Sequence, residues 1–253
     1  MKRVLTALVL IPIVAWVVLW ADWRIFLALL LSVACLCYRE YDQIAAAYGF
    51  GAPGMVGYGA GVLLLLSRDV PWAAVVGLTV VALVMVMRDQ DLAHALPRAA
   101  LLVTGILYVF GCWKCARPLR ELSPHWLMYG LMLNWVGDIG AYYIGRRFGK
   151  HKLAPQVSPN KSWEGSIASV LTSTLLGSLY LHQFLPNVPW WQAVALTAAA
   201  NIAGQFGDLA ESAMKRGAHV KDSGGLLPGH GGFLDRVDST LFALPVIYAY
   251  LRL

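Results

Sequence analysis

The stretch from Trp190 to Met214, WWQAVALTAAANIAGQFGDLAESAM, is apolar over most of its length but carries a stripe of polar side chains. The stripe consists of Asn201, Gln205, Asp208 and Ser212. Steps of four, three and four place these residues on one face of a helix, with Glu211 on or beside it. A carboxylate in mid-membrane costs about 2.5 to 3.5 kcal/mol on insertion scales, so the stripe predicts a helix that faces a polar, ion-filled or water-filled interior. A structural Asp–Lys pair is the simpler alternative, but it would not require the two amides on the same line.

The composition is that of an integral membrane protein. Of 253 residues, 58% are hydrophobic and only 13% are charged, and the mean hydropathy is +0.61, which is outside the range of soluble globular domains. Lys2 and Arg3 precede an apolar run from Val4 to Trp20, about the length that crosses the hydrocarbon core of a bilayer. A cleaved signal peptide is the alternative, but no clear small-x-small site follows the run, so we expect a retained first helix.

Similar apolar runs recur along the chain and predict an all-α, polytopic transmembrane bundle of about nine helices. Their approximate cores are 4 to 20, 23 to 38, 55 to 67, 70 to 87, 98 to 113, 126 to 145, 164 to 185, 190 to 212 and 238 to 252. With a cytoplasmic N-terminus, 14 of the 20 Lys and Arg residues lie inside and 6 outside, as the positive-inside rule expects. We expect one continuous membrane domain, with N-terminal helices over 1–130 and a catalytic region over 131–253.

Further polar residues extend the predicted site. Asn134, Asp138 and Tyr142 recur at four and four in the preceding polar segment, and Asp235 and Asp238 are three apart at the start of the last helix. An acidic residue in a first helical turn can simply complement the helix dipole, which is the alternative for Asp238.

A glycine-rich segment, KDSGGLLPGHGG, runs from Lys221 to Gly232. It is too rich in glycine to be helical and too polar to face lipid, so we expect it to line a cavity, a surface turn being the alternative. Glycine backbones beside Lys215 and Lys221 suit phosphate oxygens. For His230, an orienting hydrogen bond and a role as ligand or acid remain open. Metal-binding carboxylates, phosphate-binding cations and a glycine-rich backbone together indicate phosphoryl-transfer chemistry.

Two other motifs receive no catalytic function. Cys112 and Cys115 have C-x-x-C spacing, but they lie in an apolar segment and are interpreted as packed side chains rather than a zinc or redox site. Gly57 and Gly61 allow close helix packing; we favour contacts within the chain and keep a homodimer as the alternative.

The run from Ser212 to Asp238, SAMKRGAHVKDSGGLLPGHGGFLDRVD, resembles the signature of the phosphatidate cytidylyltransferase (CDP-diacylglycerol synthase) family. A second block is similar to the same family and comprises Asp138, Tyr142, Gly145, Arg146, Gly149, Lys150 and SPNKSWEG from Ser158 to Gly165. Asn160 stands where the family usually has a basic residue and Ser162 where threonine is common, so Asn160 is assigned no role. The resemblance covers roughly 134 to 240, and before it the chain is similar in hydropathy only.

The resemblance implies that CTP and phosphatidic acid give CDP-diacylglycerol and pyrophosphate, with Mg²⁺, at the cytoplasmic face of a bacterial cytoplasmic membrane. The expected partners are these substrates and membrane lipids, with no nucleic acid; a second, monovalent cation is left open. The expected catalytic residues are Asp208, Asp235, Lys215, Lys221, Asp222 and Asp238. The expected substrate-binding residues are Arg216, Arg236, His230, Gly231, Gly232, Ser158, Lys161, Glu164, Asp138, Tyr142 and Arg146. The expected metal ligands are Asp208, Asp235 and Glu211.

Two other functions fit parts of the pattern. An ion-coupled transporter also uses carboxylate stripes and glycine-broken segments, but no internal repeat is visible and the charge clusters at one face. Another lipid-phosphate nucleotidyltransferase or phosphotransferase is the nearer alternative, although the D-G and D-x3-D motif of enzymes that consume CDP-diacylglycerol is not found in the sequence.

Overall fold

A computed structural model describes residues 2–51, 53–69, 72–87, 92–226 and 231–253. Helices dominate the described chain, which confirms the all-α prediction in its main feature. The helices are α1 (Lys2–Leu19), α2 (Trp23–Ala47), α3 (Gly54–Leu66), α4 (Trp72–Val86), α5 (Ala95–Gly105), α6 (Cys112–Lys114), α7 (Ala116–Leu122), α8 (Pro124–Phe148), α9 (Trp163–Phe184), α10 (Trp190–Gly217) and α11 (Leu234–Tyr250).

Local sequence explains several helix starts. The Asp22 side chain accepts a hydrogen bond from the Arg24 N–H at the start of α2, and Ser162 accepts one from Gly165 at the start of α9. Pro124 occupies the first position of α8, where the missing N–H costs nothing. A 3-10 turn before α5 and a π-helical turn between α5 and α6 join these short helices into one helical stretch.

Two short strands were not predicted from the sequence. Lys152–Ala154 (β1) and Ser158–Ser162 (β2) pair antiparallel between α8 and α9, with Lys152 opposite Ser162. The hairpin was not foreseen because a charged loop of this length carries no alternating apolar pattern. The hairpin matters because β2 places Lys161 beside Asp208 of α10.

The C-terminal helices form a continuous packed group. α8 packs along α9, and α10 packs against both α9 and α11. The N-terminal helices reach the same group, because α11 also contacts α2 and α8 contacts α1. Gly57 and Gly61 are used inside the chain, where added Cβ atoms would meet Tyr38 and Phe110, as we favoured; the cysteines are free thiols.

Among the described residues, one helical stretch, Leu92–Leu122, is long and apolar enough by itself to cross a membrane. Shorter apolar helices cover Val9–Leu19, Gly54–Leu66 and Trp72–Val86. The number of spans and their orientation therefore stay predictions.

Candidate active site

The polar stripe of α10 divides into two parts that make different kinds of contact. In the first part, the Asn201 amide donates to the hydroxyls of Ser173 at 2.9 Å and Ser169 at 3.2 Å on α9. Gln205 donates to Asn201 at 2.8 Å and is bonded to Ser166 of α9. The amides thus face a polar interior, one of the three environments expected for the stripe, and they join α9 to α10 as interhelical hydrogen bonds do in membrane proteins.

The second part of the stripe carries the charges. Lys161 of β2 lies 2.5 Å from Asp208 Oδ2, which fixes the hairpin to α10. The Ser212 hydroxyl, one turn further along, is 3.4 Å from Asp208 Oδ1. The structure thus places two residues from separate motifs, Lys161 and Asp208, in direct contact.

About two turns along α10 from Asp208, Lys215 connects two other predicted residues. Its ammonium group forms ion pairs with Glu211 of the same helix and with Asp235 of α11. Glu211 is completely buried and Lys215 is 8% exposed. A buried carboxylate and lysine require such partners, because an unpaired buried charge is strongly destabilising.

Asp235 is also held by the glycine-rich segment. Its Oδ2 accepts hydrogen bonds from the N–H groups of Ser223 at 3.0 Å and Gly232 at 2.8 Å. Partial burial opposes its charge, but the bonds from Lys215 and from these N–H groups keep the pKa of Asp235 below its usual value. Burial likewise opposes the charge of Lys215, and Glu211 and Asp235 outweigh it and raise the lysine pKa. Both residues lie beyond the predicted apolar spans, and both are charged at neutral pH.

Three further carboxylates lie close enough to interact electrostatically. Asp208 interacts electrostatically with both Asp138 of α8 and Asp238 of α11. Lys161 and Arg236 interact favourably with the Asp138 carboxylate, whereas Asp208 repels it. Four elements, α8, β2, α10 and α11, therefore bring acidic and basic groups to one place.

The predicted metal ligands are not arranged as a finished metal site. Within the described residues, no three His, Cys, Asp or Glu side chains are grouped as ligands. Glu211 and Asp235 meet at Lys215, whereas Asp208 contacts Lys161. Oε1 of Glu211 is buried and accepts no hydrogen bond from the described chain.

A cavity of about 340 Å³ opens beside this charged group. Most of its wall is apolar and comes from α1, α2, α7 and α8, including Val14, Phe26, Leu30, Leu127 and Leu131. At one end the lining changes to Asn134, Asp138, Asp235, Arg236 and Asp238. The cavity thus combines a long apolar surface with a charged end.

Other predicted residues lie around the centre. Arg146 donates to the Tyr142 hydroxyl at 2.8 Å, both on the exposed end of α8, and Glu164 accepts from His151 at 2.6 Å. Arg216 donates to the backbone oxygen of Val157, next to the half-buried Ser158. These three contacts do not involve Asp208, Glu211 or Asp235, and a binding role for these residues stays a prediction.

The glycine-rich segment is described only in part. Lys221 and Asp222 are exposed, whereas His230 lies outside the described residues. Gly231 has a positive φ of 76°, and a Cβ there would be 2.6 Å from Asp235 Oδ2. Its glycine is therefore required by the close approach of Asp235, whether or not a substrate also contacts it.

Glu40 of α2 is a site residue that the sequence analysis missed. It is 1% exposed and contacts the segment that holds Asp235 through Ser223, Phe233 and Leu234. The only signal in the sequence is a carboxylate near the end of an apolar helix, where charged residues are ordinary.

Comparison with known proteins identifies the family of the chain. The model of the cytidylyltransferase family matches residues 1–253. The chain belongs to the cytidylyltransferase family. A phosphatidate cytidylyltransferase of Staphylococcus aureus (strain COL) is 33% identical over 223 residues, 85% of each chain. That of Bacillus subtilis (strain 168) is 40% identical over 150 residues, 58% of this chain and 56% of the relative.

Membership in the cytidylyltransferase family extends beyond the two recognised motifs. The resemblance found in the sequence covered roughly 134 to 240, whereas the family match includes α1 and α2. These N-terminal helices supply much of the cavity wall, and α2 supplies Glu40.

Proposed function

We propose that this cytidylyltransferase transfers CMP from CTP to phosphatidic acid and releases pyrophosphate. The observation that carries the proposal is the cavity whose apolar wall ends at Asp138, Asp235, Arg236 and Asp238. A diacylglycerol phosphate has the matching form, with apolar chains and a charged head. The names of the similar bacterial enzymes support the same reaction.

In the proposed reaction, a phosphate oxygen of phosphatidic acid attacks the α-phosphorus of CTP in line. A bond forms between that oxygen and the α-phosphorus, the bond to the bridging oxygen of the β-phosphate breaks, and pyrophosphate carries away the electron pair. The attacking oxygen is already anionic, so a strong general base is unnecessary. The main work is to position two polyanions and to offset their charge.

The basic residues suit that work. Lys161 pairs with Asp208, and Lys215 pairs with both Glu211 and Asp235. Arg236 lines the charged end of the cavity, where we expect it to contact the lipid phosphate. Arg216, Lys221 and the residues of the glycine-rich segment are the proposed contacts for the phosphates of CTP.

A divalent cation belongs to the proposal, with Asp208, Asp235 and Glu211 as its ligands. Carboxylate oxygens suit Mg²⁺, and the unpartnered Glu211 Oε1 is an acceptor that a cation would satisfy. Mg²⁺ commonly takes one or two protein carboxylates together with water and substrate phosphates, so a complete protein cage is not needed. When bound, the ion would offset charge on the reacting phosphates.

We further propose a multi-pass protein of the bacterial inner membrane, with the N-terminus and the active site at the cytoplasmic side. The distribution of side chains supports this placement. Leu171 and Leu175 of α9 are 64% and 60% exposed, whereas Ser169 and Ser173 of the same helix are buried. Apolar side chains outside and polar ones inside suit lipid as the surrounding solvent.

The test is CDP-lipid formation by purified protein in detergent, supplied with CTP and phosphatidic acid and with either Mg²⁺ or EDTA. We expect product with Mg²⁺ and its loss in EDTA. Product in EDTA would contradict the metal role alone. Absence of product from well-folded protein under both conditions would contradict the proposed reaction.

A further inference from the structure

Glu40 of α2 accepts three hydrogen bonds from a segment nearly two hundred residues away. Its Oε2 accepts from the Ser223 hydroxyl and from the Leu234 N–H, each at 2.8 Å. Its Oε1 accepts from the Phe233 N–H at 2.9 Å. Because the first N–H groups of a helix have no partner within the helix, Glu40 supplies the N-terminal cap of α11 from another part of the chain.

The glycine-rich segment is shaped around this carboxylate. A Cβ added to Gly224 would lie 2.6 Å from Glu40 Oε1, and one added to Gly232 would lie 2.3 Å from Glu40 Oε2. Real Cβ atoms essentially never make contacts this short, so a side chain at either position would displace the Glu40 carboxylate. These two glycines thus allow the backbone to close on Glu40.

The same contacts continue to Asp235. Ser223, whose hydroxyl donates to Glu40, also donates its N–H to Asp235 Oδ2 at 3.0 Å. The Asp235 N–H lies 3.3 Å from the Ser223 hydroxyl oxygen. Gly232, packed on Glu40, donates to the same Asp235 oxygen at 2.8 Å. The position of Asp235 therefore depends on Ser223 and on the first turn of α11, both of which Glu40 holds.

We propose that Glu40 is a positioning residue for the reaction, which fixes the Asp235 carboxylate through Ser223 and the start of α11. The inference rests on the proposed function, in which Asp235 binds the cation. It gives the N-terminal helices a part in catalysis besides lining the cavity. Within the described part of the chain, Glu40 forms no hydrogen bond or ion pair with Asp208, Lys215 or Asp235 themselves.

The test compares full-length Glu40→Gln with wild type in detergent. Glutamine keeps the size of the side chain but replaces one acceptor oxygen with an NH₂ group, which faces donors. We expect kcat to fall by roughly 10- to 100-fold, as for a small misplacement of a reacting group. The Mg²⁺ concentration for half-maximal activity should rise several-fold. The Mg²⁺ concentration that gives half of the metal-dependent rise in the midpoint of thermal unfolding, measured without substrates, should rise with it. A mere loss of folded protein would leave both concentrations unchanged.

Asp42→Ala is the matched control, because Asp42 lies on the same helix and accepts from the Gly54 N–H at 2.8 Å at the start of α3. This variant removes a comparable hydrogen bond to the start of a helix, but one that is not among the contacts leading from Glu40 to Asp235. Its Mg²⁺ dependence should equal that of wild type. Ser223→Ala should shift the Mg²⁺ dependence in the same direction as Glu40→Gln. It provides the test if the glutamine variant fails to fold.

A double-mutant cycle checks the route. If Glu40 acts through Ser223, the two substitutions together should cost clearly less than the product of their separate effects. Independent effects, or unchanged Mg²⁺ dependence in both single variants, would overturn the proposal. Asp235→Asn distinguishes a failure of the proposed function from a failure of the positioning role. Full activity of Asp235→Asn would refute the role of Asp235 in the proposed function. If Asp235→Asn is inactive but Glu40→Gln behaves like wild type, only the positioning role of Glu40 is refuted.

Discussion

Asp208 is the residue at which the separate sequence motifs meet. It forms the ion pair with Lys161 of the hairpin, and it interacts electrostatically with Asp138 and Asp238. A carboxylate among other carboxylates is unfavourable unless cations offset the charge. Asp208 is therefore suited to hold a metal ion and a lysine at the centre of the reaction.

Replacing Asp208 with asparagine should remove the charge while keeping the shape. We expect turnover to fall by about 100-fold or more, the size of effect seen when a group that stabilises transition-state charge is removed, while the protein still inserts and folds. CDP-lipid formation per folded protein measures this, with folding followed by size-exclusion chromatography. Glu121→Gln is the isosteric control on an exposed carboxylate, expected within about twofold of wild type. Near-wild-type activity of Asp208→Asn would refute its role.

Lys215 tests the electrostatics of the buried ion pairs. Lys215→Met leaves Glu211 and Asp235 without their shared cation, and breaking such a buried pair costs about 3 to 5 kcal/mol. Adding Glu211→Gln removes one uncompensated charge and should recover part of the loss. The midpoint of thermal unfolding in detergent measures both variants. Equal midpoints for the single and double variants would contradict this explanation.

At the scale of elements, small residues on α8 determine how closely the polar helices approach. An added Cβ at Gly137 would lie 2.6 Å from Asn201 and Ser169 and 2.7 Å from Ser173. The glycine therefore leaves room for the hydrogen bonds that join α9 and α10. The packing around Gly137 therefore also determines where Asp138 of α8 lies relative to Asp208 of α10.

Gly137→Ala should separate these helices and break part of the Asn201 network. Interhelical hydrogen bonds in membranes contribute about 0.6 kcal/mol on average and at most about 1.7, and overpacking adds about 1 to 3 kcal/mol. We expect a lower unfolding midpoint and reduced turnover. Gly59→Ala is the control, since nothing lies within 4 Å of an added Cβ there. Equal stability of the two variants would contradict the packing argument.

The helices and the central charges were predictable from the sequence because they follow local periodicity and a long, specific motif. The apolar runs predicted the main helices, and Lys215 and Asp235, which belong to one motif, form an ion pair. The hairpin was missed because its pairing depends on tertiary contacts. Glu40 was missed because its partners are nearly two hundred residues away, and no local pattern records such a contact.

At the scale of the whole molecule, the proposed orientation puts the hairpin and the glycine-rich segment in one compartment, where CTP is available. In a background without the four native cysteines, Lys152→Cys should resist a membrane-impermeant maleimide in intact cells and react after lysis. Glu121→Cys, on the opposite side, should react without lysis. The gel shift of labelled protein measures both, and the reverse labelling pattern would contradict the orientation.

The most direct measurement of the central claim uses CTP labelled at one phosphorus at a time, with purified protein, phosphatidic acid and Mg²⁺. With the label at the α-phosphorus, the account predicts radioactivity in the extracted lipid. With the label at the γ-phosphorus, it predicts radioactivity only in pyrophosphate. Label from the γ-phosphorus in the lipid, or from neither position, would contradict transfer of CMP to the lipid phosphate.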